Sequence, residues 1–135
     1  MKAFGFGKAE KLKSRKEIES LFAEGKSLAV FPLRVKYRFR PFSGEGAPVQ
    51  VAVSVSKKGF RRATDRNRIK RLLREAYRLQ KGDLVQQVTE KGLQAILFFM
   101  YTDKEKAPFD VIFNAMTHCL NQLSQKALTY DERPR

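Results

Sequence analysis

With 135 residues and 42% hydrophobic side chains, the chain has the size of one domain and enough apolar material for one core, so a single domain over 1–135 is expected. Lys plus Arg number 28 against 14 Asp plus Glu, a formal charge of +14, and self-repulsion on that scale calls for a polyanionic partner. Nucleic acid is the foremost candidate, because neutralising phosphates releases counterions without any reading of bases, whereas the longest apolar stretch, Ala95 to Tyr101, is too short to span a bilayer.

The first residues lack the apolar run and small-residue cleavage site of a secretory leader, and one cysteine, Cys119, allows no internal disulfide; both point to the cytoplasm. From Met1 to Lys16 there are six Lys or Arg and several Gly without periodicity, which reads as a mobile basic arm to about Lys13. Ser14 can cap a helix running to about Glu24, with Ile18, Leu21 and Phe22 on its apolar stripe and Gly25 as its stop. Leu33 to Arg40 alternates cleanly: Leu33, Val35, Tyr37 and Phe39 face one way, Arg34, Lys36, Arg38 and Arg40 the other. After a Gly- and Pro-containing loop, Pro41 to Pro48, the valines 49, 51, 53 and 55 alternate with Gln50, Ala52, Ser54 and Ser56. The two strands are expected to form an antiparallel hairpin that buries its apolar face and leaves Arg34, Lys36, Gln50 and Ser54 on the other.

Lys57 to Ala63 reads as a loop and Thr64 to Gln80 as a helix, capped by Thr64 or Asp65 and followed by Gly82. At 100° per residue, Ile69, Leu72, Leu73, Ala76 and Gln80 share one face, while Arg66, Asn67, Lys70, Arg71, Arg74 and Arg78 fill the opposite arc. Leu93 to Tyr101 reads as a buried strand. Phe109 to Leu123 closes the domain as a helix with Ile112, Met116, Cys119, Leu120 and Leu123 at core spacing, and Ala127 to Arg135 reads as a disordered tail. The order is α-β-β-α-β-α, a mixed α/β domain without internal repeats.

Between Lys57 and Lys81 lie eleven Lys or Arg and two acids, Asp65 and Glu75, so this window carries most of the net charge. The i, i+4 series Arg66, Lys70, Arg74, Arg78 is self-repulsive by a few tenths of a kcal/mol per pair, roughly, and makes a stripe about 18 Å long that can follow successive phosphates. In Arg66-Asn67-Arg68 the guanidinium forks suit phosphates and base stacking, and the amide suits a 2′-hydroxyl. A merely solvated helix face is the alternative, and the scarcity of compensating acids argues against it.

Ser54-Val55-Ser56-Lys57-Lys58, then Ala63, then Arg66-Asn67-Arg68-Ile69-Lys70-Arg71-Leu72-Leu73-Arg74-Glu75-Ala76, resembles the signature of the bacterial ribonuclease P protein subunit family. The resemblance implies a two-layer α/β sandwich with a central, mainly antiparallel sheet and a left-handed βαβ crossover, against the right-handed norm. It implies that the helix and its preceding loop bind the catalytic ribonuclease P RNA, a role that falls on Lys57, Lys58, Arg66, Asn67, Arg68, Lys70, Arg71 and Arg74. Arg61, Arg62 and Arg78 join them from the same basic window. It further implies that the 5′ leader of precursor tRNA lies between the first helix and the sheet, at Ile18, Phe22, Arg34 and Lys36, with Phe31 as a further stacking platform. Two departures stand out. Ile18 and Lys36 occupy positions that are often aromatic in the family, which weakens stacking and strengthens phosphate attraction, and the loop Gly59-Phe60-Arg61-Arg62 is one residue longer.

Protein side chains are not expected to perform the cleavage. Glu17 and Glu19 diverge on a helix, Asp103 and Glu105 fall in a loop, His118 reads as a helix-edge residue and Cys119 as a core thiol, and Gly5-Phe6-Gly7 lacks the context of a phosphate loop. The family implies that the RNA subunit holds Mg²⁺ and cuts the precursor to give mature 5′ ends, with no metal or other cofactor bound by the protein alone. The protein is expected to be monomeric apart from its RNA. A structural RNA-binding protein of ribosomal type, or a DNA-compacting protein, would share the composition but not the signature.

Overall fold

In the computed structural model, residues 7–130 are described. The apolar run Leu93–Tyr101 forms β4, an inner strand of a four-stranded sheet of order β1-β2-β4-β3, where β1 is Lys26–Val30, β2 Leu33–Pro41 and β3 Val49–Val55. β1 pairs with β2 and β2 with β4 antiparallel, while β3 runs parallel to β4. The helices are α1 (Arg15–Glu24), α2 (Ala63–Gln80), α3 (Gly82–Glu90) and α4 (Phe109–Leu128). Both connected faces of the sheet are covered, unequally. Val35, Val51, Leu97 and Phe99 pack with Ile69, Leu73 and Tyr77 of α2, Leu84 and Val88 of α3, and Met116, Cys119 and Leu123 of α4 in the main core. On the other face α1 seats Leu21 against Ile96 and Leu12, with Ile18, Ala52 and Phe98 at the margin of this smaller cluster.

The expected hairpin between the second and third strands is not formed: β4 separates them, with Val35 opposite Phe99 on one side and Val53 opposite Phe99 on the other. Alternation reports which face of a strand is buried, not which strand lies beside it. The facial assignment itself holds, with Leu33, Val35, Tyr37, Phe39, Val49, Val51 and Val55 buried. β3 reaches β4 through α2 and α3, which makes a parallel βαβ unit.

Other differences are local. Ser14 caps α1 as expected, its hydroxyl accepting from the Glu17 N–H at 3.2 Å, and Gly25 follows in extended conformation, a place that favours glycine because a Cβ there would stand 2.4 Å from the Leu21 carbonyl oxygen. α2 starts one residue earlier, with Arg62 rather than Thr64 or Asp65 at its cap and no side-chain cap bond. Its end is not a Gly stop: Lys81 stays right-handed helical and the chain turns straight into α3, which ends at Gly92 with φ 67°. β1, short and half-exposed, and α3 had no clear sequence signal.

The arm and tail are more ordered than expected. Residues 8–10 form a single 3-10 turn, the Leu12 N–H donates to the Val51 carbonyl at 2.9 Å, and Leu12 is buried. Glu10 pairs with Lys81, which is itself buried at the α2–α3 junction. α4 runs five residues past Leu123, burying Ala127, and Tyr130 meets the Phe39 ring at 6.0 Å. The first six and last five residues, to which the rest of the arm and tail expectations refer, lie outside the described residues.

Candidate nucleic-acid interface

Two basic surfaces emerge, one on α2 with the loop before it and one on the α1 side of the sheet. The loop leaves the end of β3, where Ser56 accepts the Lys58 N–H on its hydroxyl at 3.2 Å and its carbonyl accepts the Phe60 N–H at 3.3 Å. Phe60 turns inward, buried, with its ring 6.0 Å from Tyr101. That anchor leaves Lys57, Lys58, Arg61 and Arg62 exposed around it. Across from the loop, the Tyr101 hydroxyl donates to the Glu105 carbonyl at 2.5 Å and accepts the Ala107 N–H at 2.9 Å, pinning the β4–α4 connection. A Cβ on Gly59 would stand 3.7 Å from Lys104 Cα, so Lys104, an exposed cation absent from the sequence-derived set, adjoins the loop.

Along α2 the basic residues divide by what they touch. Arg66 is half-buried and its Nη1 donates to the carbonyls of Phe60 at 2.7 Å and Arg61 at 2.8 Å. Arg78 pairs with Glu75 one turn back, its Nε donating at 3.2 Å, which raises the guanidinium and lowers the carboxyl from their ordinary pKa values. Between them Asn67, Arg68, Arg71 and Arg74 are exposed and Lys70 is half-buried. Among the described residues, no carboxylate pairs with Arg68, Lys70, Arg71 or Arg74. The one acid in the helix's first turn, Asp65, is held by Lys106 at 2.8 Å; that hydrogen bond, with Arg62 and Arg68 nearby, keeps its carboxyl below the ordinary range. The ridge is therefore an open run of cations between two arginines engaged with the protein.

On the other surface the strand register sets out rows. Arg40 lies opposite Gln94, Arg38 opposite Ile96, Lys36 opposite Phe98 and Arg34 opposite Met100, with Gln50, Ala52 and Ser54 continuing the last three rows onto β3. α1 covers the first rows. Arg38 donates to the Ser20 hydroxyl at 2.8 Å and lies 3.8 Å from Glu24, and Arg40 binds Glu17 at 2.9 Å and Gln94 at 3.0 Å. Phe22, 44% exposed at the helix margin, meets Phe98 edge-on at 5.1 Å between centroids. Beyond that pair Arg34 is exposed and Lys36 half-exposed. The structure thus brings Phe22 and Lys36 together at Phe98, puts Arg34 in the next row, and packs Ile18 against the same small cluster of Leu12, Leu21 and Ile96 that Phe98 borders. Phe31 occupies the β1–β2 turn outside these rows, 73% exposed. Phe98 and Met100 were missed from sequence because a continuous apolar run gives no sign of which residues face the thinly covered side.

A family model described as Ribonuclease P matches residues 6–124. The chain belongs to the ribonuclease P protein family. It is 43% identical over 121 residues to the ribonuclease P protein component of Porphyromonas gingivalis, covering 90% of this chain and 88% of that one. To the same component of Chlorobaculum tepidum it is 38% identical over 106 residues, 74% of this chain and 69% of that one. Its fold is similar to the solved RNase P protein of Staphylococcus aureus, with a TM-score of 0.66 at 23% identity over 85% of this chain and 95% of that one. The RNase P protein of Thermotoga maritima gives a TM-score of 0.63 at 24% identity over 84% and 96%.

In this ribonuclease P protein the remaining reactive groups are dispersed. Glu17 is held by Arg40, His118 is exposed on α4, and Cys119 is fully buried, which pushes its thiol up to about 12. Among the described residues, no three His, Cys, Asp or Glu side chains converge as metal ligands, and no helix is long and apolar enough to cross a membrane.

Proposed function

We propose that this chain is the RNA-binding subunit of ribonuclease P, which grips the catalytic RNA with α2 and the 57–62 loop and takes the 5′ leader of precursor tRNA along the α1 side of the sheet. The open cation run Arg68, Lys70, Arg71, Arg74 carries the reading: with no acid paired to it among the described residues, its self-repulsion is relieved by a polyphosphate backbone. Asn67 beside it can donate to and accept from a ribose hydroxyl. The Phe22–Phe98 pair offers an apolar edge for an unstacked base, with Lys36 directly opposite Phe98 and Arg34 in the next row for its phosphates. The two surfaces lie on opposite sides of the sheet, so both ligands can be held at once.

In this reading the RNA binds Mg²⁺ and cleaves the phosphodiester, while the protein's work is electrostatic and positional. Bringing a leader against a folded RNA sets phosphates against phosphates, and the protein's cations lower that repulsion so that less Mg²⁺ is needed. The protein is read as cytoplasmic, monomeric apart from RNA and free of cofactors of its own. Reconstitution with the cognate RNA tests it. Added protein is expected to restore precursor cleavage at low Mg²⁺, releasing the leader and a mature 5′ end; an unchanged rate contradicts the reading and is what a ribosomal-type RNA binder would give.

A further inference from the structure

Arg66 sits at the head of the cation series, yet its contacts set it apart from Arg68, Arg71 and Arg74. Its Nη1 donates to the carbonyls of both Phe60 and Arg61, at 2.7 and 2.8 Å, within the range of charge-assisted hydrogen bonds. The end-on Nη1–Nη2 fork is thereby engaged with the protein's own backbone, and of the guanidinium's two bidentate edges the Nε–Nη2 edge is left. These carbonyls belong to the stretch joining β3 to α2, and α2 enters with no side-chain cap. The loop is therefore held at two points: the buried Phe60 ring against Tyr101, and the Arg66 guanidinium on the two peptide carbonyls that flank the Arg61 Cα.

We infer that Arg66 is a positioning residue, which fixes the loop so that Arg61 and Arg62 present their charges to the RNA, rather than a direct RNA contact. This rests on the proposed RNA binding and gives Arg66 a place in it different from its neighbours. A free loop carrying Arg61 and Arg62 must lose its conformational freedom on binding; one already held by Arg66 has lost it on folding. The identity of the side chain matters too. A Lys at 66 keeps the charge, but its stem is one atom shorter and its ammonium lacks the planar fork.

The test is a double-mutant cycle on affinity for the ribonuclease P RNA, with a protease arm on the free protein. Arg66→Ala is expected to weaken binding about tenfold in the otherwise unchanged protein and less than about twofold in an Arg61→Ala/Arg62→Ala background, because what it positions is already gone. Arg66→Lys is expected to follow Arg66→Ala, not the unchanged protein. In the free protein, trypsin cleavage after Arg61 and Arg62 is expected to accelerate several-fold in both Arg66 variants, with fragments assigned by mass and the thermal midpoint tracked to separate loop release from global unfolding. Equal losses in both backgrounds, or full retention by Arg66→Lys with an unchanged cleavage rate, overturn the inference and make Arg66 a phosphate contact. If the unchanged protein does not bind the RNA, the functional reading fails instead, while the protease arm still decides whether Arg66 holds the loop.

Discussion

β2 and α2 each present a row of cations at the period of their element, and the structure uses the two rows differently. On β2, Arg38 and Arg40 reach Ser20, Glu24, Glu17 and Gln94 and fasten α1 to the sheet, leaving Arg34 and Lys36 at the open end. On α2 the ends are engaged, Arg66 with the loop and Arg78 with Glu75, and the middle is open. A basic stripe is thus no measure of how much charge is available to a ligand. What decides is whether a carboxylate or carbonyl from another element lies within a side chain's reach.

The loop side of the α2 surface stands on a core residue, so its removal is expected to have the largest effect. Phe60→Ala should lower stability by about 3–5 kcal/mol, read by denaturant unfolding, and weaken RNA binding at the same time. Arg40→Ala separates the two rows: it removes the partner of Glu17 and of the 4%-exposed Gln94 and should cost about 1–3 kcal/mol of stability while leaving affinity for the catalytic RNA nearly unchanged. Phe22→Ala loses one edge-to-face pair, worth about 0.5–1.5 kcal/mol. Its signature is selective: weaker binding of precursor with a leader, and unaltered binding of leaderless tRNA.

The smallest effect concerns pH. Because Lys106 lowers the folded-state pKa of Asp65, the pair stabilises the fold above the ordinary carboxylate value of 3.8 and that contribution is lost as pH falls through the folded value. Asp65→Asn is expected to remove this part of the acid dependence, so that the stability difference between the two proteins narrows on acidification; a constant difference across pH 2–6, roughly spanning carboxylate titration, would tell against the pair. Cys119 gives a complementary alkaline check. With its thiol pushed up to about 12 and fully buried, it should resist iodoacetamide at mildly alkaline pH and react only as fast as the chain unfolds.

Much of the fold was legible. Ser14 and Gly25 bracket α1, period-two alternation marks β2 and β3 with the correct buried faces, and the apolar recurrence of α4 places its core residues. The neighbour of each strand was not legible, because β4 inserts between β2 and β3 through contacts that no local pattern encodes. The order of the arm was not legible either, because a single buried leucine, Leu12, and the Glu10–Lys81 pair outweigh a composition that suggests disorder. In the candidate site, the Glu75–Arg78 pair was within reach of sequence reasoning by its i, i+3 spacing. The engagement of Arg38, Arg40 and Arg66 depends on tertiary contacts, and Phe98 was hidden in a uniformly apolar strand.

The central claim, that the open middle of α2 meets RNA phosphates, is tested most directly by the salt dependence of RNA affinity for the unchanged protein and for Arg68→Ala/Arg71→Ala/Arg74→Ala. Each lost phosphate contact should reduce the slope of log affinity against log salt by about 0.7–0.9, so the triple variant is expected to show a slope shallower by about two to three and an affinity lower by at least about a hundredfold at low salt. Parallel lines with equal slopes would contradict the account.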